Sequence, residues 1–357
     1  MSRAIQFIIF ISVFLIVFFL MHFYVFSRFS GFFGLKRNTY FFLVIILLSS
    51  SYPLATFLER TINGSLARVL YIFSSTWMGV LFLLFSSLLV YELIRLFVVI
   101  PKFYAGVGIL LLVVLISLYA LINASFVITK NVDVTLEGLK SDLKVVQLSD
   151  IHVGTVRKTK FLERIVFRTN ELNPDVVFIT GDLVDGSGPL HKGMFDALKE
   201  LKAPAFFVIG NHEVYEGLDK VFELLSDTSI KVLRNEVVVF KDVRIVGVDY
   251  SESKAYLGNV LEKLDINKTK PAILLFHNPI SLDAAANNGI DLQLSGHTHN
   301  GQLFPFSLLV KLVYKYSVGL HNYKDMQIYI SPGTGTWGPP MRLGSRNEIT
   351  VINLKSK

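Results

Sequence analysis

The sequence predicts an N-terminal α-helical transmembrane bundle of about four spans, followed by an α/β domain. Four long apolar runs fill the first third of the chain, so that 52% of its 357 residues are hydrophobic and the mean hydropathy is +0.51. In the remainder, short β-branched runs alternate with helix-like segments. Several of these runs end in carboxylate, amide or imidazole side chains, which are typical metal ligands.

The apolar runs have the length that a membrane helix needs. A cleaved signal peptide would explain only the first of them, and that run lacks a small-residue cleavage site. Buried helices of a soluble protein are a poorer explanation, because uncharged stretches of about 20 residues rarely follow one another there. Pro53 near the end of the second run is tolerated in a membrane helix. We therefore predict a multi-pass membrane protein with a transmembrane domain over residues 1–125 and spans at residues 5–26, 39–58, 69–89 and 107–122.

The net charge of +7 belongs to the first 130 residues. Residues 1–130 hold nine Lys and Arg against Glu59 and Glu92, and the rest of the chain is neutral. A neutral second domain argues against a nucleic-acid partner, since phosphate backbones are bound through an excess of Lys and Arg. The basic residues divide almost equally between the two sides of the predicted spans, so the positive-inside rule gives no orientation. The absence of cysteine excludes thiol nucleophiles and thiolate metal ligands.

A polar connector over residues 126–142 precedes the predicted α/β domain of residues 143–357. Helix-like patterns such as KTKFLERIVFRTNEL, HKGMFDALKELK and YLGNVLEKLD separate its apolar runs. Near-continuous apolar strands that alternate with helices indicate α/β layers with strands buried on both faces. The strand-like runs lie at residues 145–148, 176–180, 206–209, 243–248, 273–276 and 292–294.

Five of these runs are followed at once by side chains that can bind metal. In open α/β sheets, ligands collect at the carboxyl ends of the strands, so side chains from several strand ends would meet at one edge. These side chains, in chain order, are Asp150, His152, Asp182, Asn211, His212, Glu213, His277, His297 and His299.

This set of side chains fits divalent Mn, Fe or Zn, with Mn as the preferred assignment, because no thiolate is present. The number of ligands suits two cations better than one, since a single carboxylate can bridge them and three further ligands remain for each. Such a pair polarises a phosphoryl oxygen and activates a water molecule. His212 exceeds the number of ligands required and is free to protonate a leaving oxygen.

Each residue also has an ordinary structural explanation. Asp150 could cap a helix, and Asp182 could occupy a turn. A single His277 would more often be an interior histidine than a ligand, and Asn211 could supply a left-handed turn. These separate explanations do not account for the whole set, because the motifs follow successive strands in a fixed order.

The motif set resembles that of the calcineurin-like metallophosphoesterases, and the resemblance covers essentially all of the second domain. The motifs that carry it are Asp150-x-His152, Gly181-Asp182, Gly210-Asn211-His212-Glu213, His277 and Gly296-His297-x-His299. The HNP after Phe276 and the late SPGTGTWGPPMRLG are further similar to the membrane-anchored bacterial branch of the family. The resemblance implies a β-sandwich of mixed sheets flanked by helices, which refines the α/β prediction.

By position, the resemblance also implies roles for individual residues. Asp182 would bridge two ligand sets, one with Asp150, His152 and His299, the other with Asn211, His277 and His297. His212 would assist the leaving group, and Glu213 would either orient His212 or cap the helix that follows. Asn300 stands where this branch usually has a second glycine, which puts the local loop shape in doubt.

The resemblance implies a phosphohydrolase, and the membrane domain favours a substrate that lies in the bilayer. We expect a membrane lipid or lipid-linked nucleotide, with UDP-2,3-diacylglucosamine split into UMP and the lipid 1-phosphate, as in lipid A synthesis, as the specific expectation. A broader phosphodiesterase of cell-envelope polymers or phospholipids is the alternative within the enzyme class. An inactive regulatory domain on a transporter or sensor is the alternative from another class. A nucleotide-linked substrate would place the catalytic domain on the cytoplasmic side of the bacterial cytoplasmic membrane.

An apolar, aromatic and basic segment between Gln302 and Met326 directly follows the GHTH motif. Lys311 and Lys315 lie four residues apart among leucine, valine and tyrosine, which predicts a helix. Such a helix could lie on a membrane or wall an acyl-chain groove, or be an ordinary core helix with two extended lysines. Arg342 could contact a phosphate or pair with an acid.

Overall fold

The computed structural model describes residues 3–62, 64–264, 266 and 270–356. It divides into two compact units, a helical one and one that contains both β-sheets. The helical unit comprises Met1–Ile122 with Gly338–Met341, and the second unit comprises Asn123–Trp337 with Arg342–Lys357.

Among the described residues, four helices are long and apolar enough to cross a membrane, which confirms the predicted number. Pro53 lies inside the second of them. They are α1 (Arg3–Phe33), α2 (Thr39–Ile62), α3 (Ser65–Ile94) and α4 (Lys102–Ser125).

Polar side chains of the helical unit pair with one another. Trp77 Nε1 on α3 donates a hydrogen bond of 2.9 Å to His22 Nε2 on α1. Glu92 on α3 forms ion pairs with Arg28 on α1 and, at 2.8 Å between Nε and Oε2, with Arg95. Pairing of this kind offsets the cost of placing charge near an apolar medium.

The second unit contains twelve strands in its described part. The remaining helices are α5 (Thr159–Glu171), α6 (Asn211–Glu216), α7 (Leu218–Leu225), α8 (Lys254–Leu261), α9 (Leu282–Asn287) and α10 (Phe306–Val313). The strands are β1 (Val127–Leu136), β2 (Leu143–Leu148), β3 (Val176–Thr180), β4 (Ala205–Val208), β5 (Lys231–Val232), β6 (Glu236–Phe240), β7 (Val243–Gly247), β8 (Ala272–Leu275), β9 (Leu292–Ser295), β10 (Gly319–Tyr323), β11 (Met326–Ile330) and β12 (Asn347–Ser356).

These strands form two mixed six-stranded sheets with the orders β1-β12-β2-β3-β4-β5 and β10-β11-β9-β8-β7-β6. In the first sheet, β2 to β5 are parallel and β12 pairs antiparallel to β2. In the second, β11, β9, β8 and β7 are parallel, and β10 and β6 are antiparallel edge strands. Each sheet therefore has a parallel centre whose carboxyl ends lie at one edge.

The sheets pack face to face between two helical layers. Because side chains alternate across a strand, Val145 and Val176 point into the core between the sheets, and their neighbours Val146 and Val177 point outward toward α5. Helices α8 and α9 cover the outer face of the second sheet. The strands are buried on both faces, which confirms the predicted β-sandwich flanked by helices.

The segment predicted as connector, residues 126–142, is mostly part of the first sheet. Strand β1 pairs in parallel with β12 along its whole length, from Val127 opposite Asn347 to Leu136 opposite Ser356. Half of its residues are exposed, which gives the segment the polar composition of a linker. Only Phe126 separates the end of α4 from the start of β1.

Candidate metal centre

All the predicted ligands lie at the carboxyl edge of the two sheets. The loops after β2, β3 and β4 bring Asp150, His152, Asp182 and Asn211 from the first sheet, and those after β8 and β9 bring His277, His297 and His299 from the second. Each of them is buried or nearly so. Burial of this many polar groups requires partners, and a cation satisfies several at once.

Asp182 lies at the middle of the cluster. Its Oδ2 atom is 3.1 Å from His277 Nε2 and 3.9 Å from His152 Nε2. Its other oxygen, Oδ1, accepts a hydrogen bond of 3.0 Å from the backbone N–H of His212. One oxygen is thus held by the backbone, and the other faces imidazoles that come from both sheets.

Two groups of side chains flank Asp182. In the first, His299 Nε2 is 3.0 Å from His152 Nε2 and 3.3 Å from Asp150 Oδ1. In the second, His297 Nδ1 is 2.9 Å from the Asn211 amide oxygen. The donor atoms of Asp150, His152 and His299 all lie within 4.8 Å of one another, as a shared cation requires. The same holds for the donor atoms of Asp182, His277 and His297.

The donor atoms fit metal ions better than they fit one another. His277 Nδ1 donates a hydrogen bond of 2.7 Å to the Thr180 carbonyl oxygen, which leaves Nε2 with a lone pair. That Nε2 atom is buried without a hydrogen-bond partner and faces Asp182 Oδ2. A lone pair opposite a carboxylate oxygen is repulsive unless a proton or a cation lies between them.

The electrostatics keep most of the imidazoles neutral, which is the form that binds metal. Burial, together with the neighbouring His277, lowers the pKa of His297 to about 4. Burial and adjacent imidazoles also hold the pKa values of His152 and His299 well below the usual range. Burial opposes the charging of His277, but Asp182 and Asp150 outweigh it and raise its pKa to about 10.

The ring of His212 is oriented by a backbone carbonyl oxygen, and together with His152 and Asp182 it also forms a group of donor atoms that could hold a metal ion. Its Nδ1 donates a hydrogen bond of 2.7 Å to the Asp185 carbonyl oxygen, so Nε2 is the atom turned toward the site. That Nε2 atom is 4.0 Å from Asp182 Oδ2. His212 can therefore exchange a proton through Nε2 without losing the bond that orients its ring.

Glu213 caps α6 and joins two loops. Its carboxylate accepts hydrogen bonds of 2.6–3.1 Å from the backbone N–H groups of Gly210, Asp182, Leu183 and Val184. The prediction that Glu213 orients His212 is therefore corrected in favour of the capping alternative. The physical reason is that four buried N–H donors outcompete one imidazole for the carboxylate. Glu213 acts on the site indirectly, by fixing the loop that carries Asp182.

Several of the predicted ligands have a left-handed backbone. Asp150, His152, Asp182, His297 and His299 have φ values between 49° and 70°. Non-glycine residues adopt this conformation rarely, and it costs about 1–2 kcal/mol per residue. Such strain concentrates at functional sites, where side chains must leave a strand end in directions that regular structure does not provide.

Asn300 shares this left-handed conformation, with φ 49°. Asparagine tolerates it better than most residues, because its short polar side chain can hydrogen-bond locally. The Asn300 amide oxygen accepts a hydrogen bond of 3.3 Å from Ser317 Oγ. The departure from glycine at this position therefore preserves the turn.

Two motif glycines are required by close packing. A Cβ atom at Gly210 would lie 2.1 Å from Asp182 Oδ1, and one at Gly296 would lie 1.9 Å from Ser149 Oγ. No side chain fits at such distances. The glycines of GNH and GHTH therefore allow their loops to approach the candidate ligands Asp182 and Asp150 closely.

Asp185 and Arg342 support the site in ways that the motif pattern did not predict. Asp185 is buried; its Oδ1 lies 3.8 Å from His152 Nδ1, and its carbonyl holds His212. Its place three residues after Asp182 in GDLVD is the only sequence signal for it. Fully buried Arg342 donates to the carbonyl oxygens of His299, Pro332 and Gly335 and to the Asn347 side chain. It therefore fixes backbone around the His299 loop.

Aromatic rings surround the cluster. Tyr250 lies 5.9 Å from the ring of His277 and 5.7 Å from that of His297, measured between centroids. Tyr314 lies 6.0 Å from the ring of His297, and Trp337 lies 5.9 Å from that of His212. The cluster thus has apolar walls, which strengthen electrostatic interactions inside it.

Residues 143–301 match the family model described as calcineurin-like phosphoesterase. The matched stretch begins with β2 and ends just after His299, so it contains every predicted ligand.

Relatives include bacterial metallophosphoesterases and an animal transmembrane protein. An uncharacterised metallophosphoesterase of Aquifex aeolicus is 32% identical over 256 residues, which cover 68% of this chain and 98% of that protein. An uncharacterised metallophosphoesterase of Campylobacter jejuni is 37% identical over 238 residues, or 64% of this chain and 63% of the relative. A Danio rerio protein described as a transmembrane protein with metallophosphoesterase domain is 38% identical over 69% of this chain and 62% of its own length. The chain thus spans less than two thirds of the length of the last two relatives.

Proposed function

Because the chain belongs to the calcineurin-like metallophosphoesterase family, we propose that it is a metal-dependent phosphoesterase that cleaves a phosphodiester or pyrophosphate bond in a membrane lipid. The observation that carries the proposal is the convergence of carboxylate, amide and imidazole donors from five strand ends around Asp182. Donors of this type, without thiolate, suit a pair of divalent cations.

Two ligand sets would share Asp182. Asp150, His152 and His299 would complete the first, and Asn211, His277 and His297 would complete the second. The cations, Mn in the first instance with Fe or Zn as alternatives, would supply Lewis-acid charge and an activated water when bound. The protein holds the donor atoms in place through the backbone bonds to Asp182 and Asp150 and through the His277 bond to Thr180.

His212 would transfer a proton to the leaving oxygen. Its Nδ1–H is engaged by the Asp185 carbonyl oxygen, so the proton would leave from Nε2.

The membrane unit supports a lipid substrate. Four helices of membrane-spanning length precede the catalytic unit, and a relative is itself described as a transmembrane protein. We propose UDP-2,3-diacylglucosamine as the substrate, with UMP and the lipid 1-phosphate as products, as in lipid A synthesis. The protein would then lie in the bacterial cytoplasmic membrane with the site on the cytoplasmic side, where a nucleotide-linked lipid is made.

Turnover by the full chain in lipid nanodiscs tests this proposal. The protein is loaded with Mn²⁺ and given either UDP-diacylglucosamine or the soluble diester bis(p-nitrophenyl) phosphate, with Asp182→Asn as the inactive control. Release of UMP supports the specific substrate. Cleavage of the soluble diester without UMP release would favour the broader envelope phosphodiesterase. Failure of both reactions, together with absence of bound metal, would favour a regulatory domain.

The intact donor set argues against the regulatory alternative, since a domain without catalytic function has no need to keep it. The polar residues of the helical unit also argue against a transporter. Glu92 forms ion pairs with both Arg28 and Arg95, and His22 is hydrogen-bonded to Trp77. Charged residues that serve a transport pathway would instead face a water-filled cavity.

A further inference from the structure

An exposed apolar surface follows the GHTH turn. None of the eight residues of α10, all of them described, is buried. Leu312 is 83% exposed and Val313 is 75% exposed. Several large apolar side chains exposed together on one short helix are unusual on a soluble surface and indicate a binding partner. The rim surface is defined here as Phe304, Phe306, Leu308, Leu309, Leu312, Val313 and Trp337, each of them exposed.

The rim surface is continuous with the metal site. Tyr314, the residue directly after α10, has its ring 6.0 Å from that of His297. Trp337 has its ring 5.9 Å from that of His212. The Gln302 side chain bonds to both the N–H and the carbonyl oxygen of Trp337, at 3.0 Å and 2.9 Å. Whatever covers the rim surface therefore borders the entrance to the cluster.

The charged residues of the segment that carries most of the rim surface are positive. Residues 302–324 include Lys311, Lys315 and Lys324 and no acidic residue. Lys324 is paired with Asp283, but Lys311 and Lys315 are both exposed, and Lys315 Nζ lies 4.3 Å from the centroid of the Tyr323 ring. An apolar helix face bordered by lysines complements a bilayer with anionic headgroups.

The second unit is covalently linked to helices of membrane-spanning length. Helix α4 is apolar and long enough to span a membrane, and it ends at Ser125, one residue before β1. A tether of one residue keeps the second unit at the membrane surface, which raises the effective concentration of lipid far above that of a soluble partner.

We propose that the rim surface inserts into the boundary between headgroups and acyl chains of the bilayer that holds α1 to α4. Lys311 and Lys315 contact lipid phosphates, and α10 lies in the plane of the interface. A lipid phosphate then reaches the metal site laterally from the membrane. The part of this inference that concerns the substrate rests on the proposed function, but the insertion itself does not depend on catalysis.

A single spin label tests the insertion directly. Because the chain has no cysteine, Leu312→Cys introduces the only thiol, and the full chain can be labelled with a nitroxide and placed in nanodiscs of phosphatidylcholine and phosphatidylglycerol. Val239→Cys is the matched control: it is an exposed valine, 62% accessible, on edge strand β6 of the same unit.

We expect the label at position 312 to be more accessible to oxygen than to an aqueous nickel chelate, in substrate-free discs, with the label at position 239 showing the reverse. Equal, water-like accessibility at both positions would overturn the proposal. So would dipolar broadening at position 312, since it would show that a second copy of the chain covers the surface.

Turnover distinguishes this proposal from the proposed function. Leu309→Glu with Leu312→Glu should lower the ratio of lipid cleavage to soluble-diester cleavage by about tenfold or more, because two leucines no longer enter the bilayer. Val239→Glu should leave that ratio unchanged. If the wild type cleaves neither substrate, the proposed function fails and the spin-label result decides the insertion alone. An unchanged ratio in the double variant would contradict lateral entry of the lipid.

Discussion

Asp182 and His212 have different roles in the proposed mechanism. Asp182 Oδ2 faces imidazoles from both sheets, and its Oδ1 is held by a backbone N–H. His212 is held through Nδ1 by a carbonyl oxygen and keeps Nε2 for proton transfer. One residue is thereby suited to bind cations and the other to act on the leaving group.

His212→Asn should lower kcat by about 10²–10⁴-fold for a substrate with a poor leaving group, because the proton that Nε2 would give to the leaving oxygen is lost. The loss should shrink for p-nitrophenolate, which leaves without protonation. Bound metal, measured by mass spectrometry, should stay unchanged. His191→Asn, which alters an exposed histidine, is the control. Loss of a metal ion from His212→Asn would instead make His212 a ligand.

The convergence of the candidate ligands at one sheet edge was predictable from sequence, and the contacts that hold them in place were not. Motifs at strand ends mark Asp150, His152 and Asp182, because parallel strands deliver their carboxyl ends to one edge. Asp185 and Arg342 act through a backbone carbonyl and through several carbonyl acceptors, respectively. Such contacts depend on how loops fold over one another, which local sequence patterns do not encode.

At the scale of single elements, the short helix α6 depends on Glu213. Glu213→Gln should destabilise the second unit by about 3 kcal/mol, since the amide keeps one acceptor oxygen and turns an N–H₂ group toward buried N–H donors. Thermal unfolding of the full chain in detergent measures the change. Glu223→Gln, on the exposed side of α7, should have almost no effect. Equal stability of the two variants would refute the capping role of Glu213.

The turn that carries His297 and His299 depends on the conformation of Asn300. Asn300→Gly should be nearly neutral, because glycine adopts positive φ freely. Asn300→Val should cost about 1–2 kcal/mol, because a β-branched residue is strained there. Melting temperatures and turnover of the two variants provide the comparison. If valine were tolerated as well as glycine, the left-handed turn would not be needed.

At the scale of the whole molecule, composition separates two kinds of unit. Uninterrupted apolar runs predicted the four helices, and β-branched runs that alternate with helix-like segments predicted the sheets and their flanking layers. Strand β1 was not predicted, because an edge strand with half its residues exposed has the composition of a linker. The exposure of α10 could not be predicted either, because an apolar helix has the same sequence pattern whether it is covered by the protein core or by a bilayer.

The number of metal ions bound per chain tests most directly whether the strand ends hold a pair of cations that share Asp182. The purified full chain, loaded with Mn²⁺ and freed of excess ion, is measured by mass spectrometry beside Asp182→Asn and the exposed-site control Asp196→Asn. We predict two ions per chain in the wild type and in Asp196→Asn, and one or none in Asp182→Asn, with turnover reduced by about 10²-fold or more. A catalytically active wild type with a single ion, or two ions retained by Asp182→Asn, would contradict the shared carboxylate.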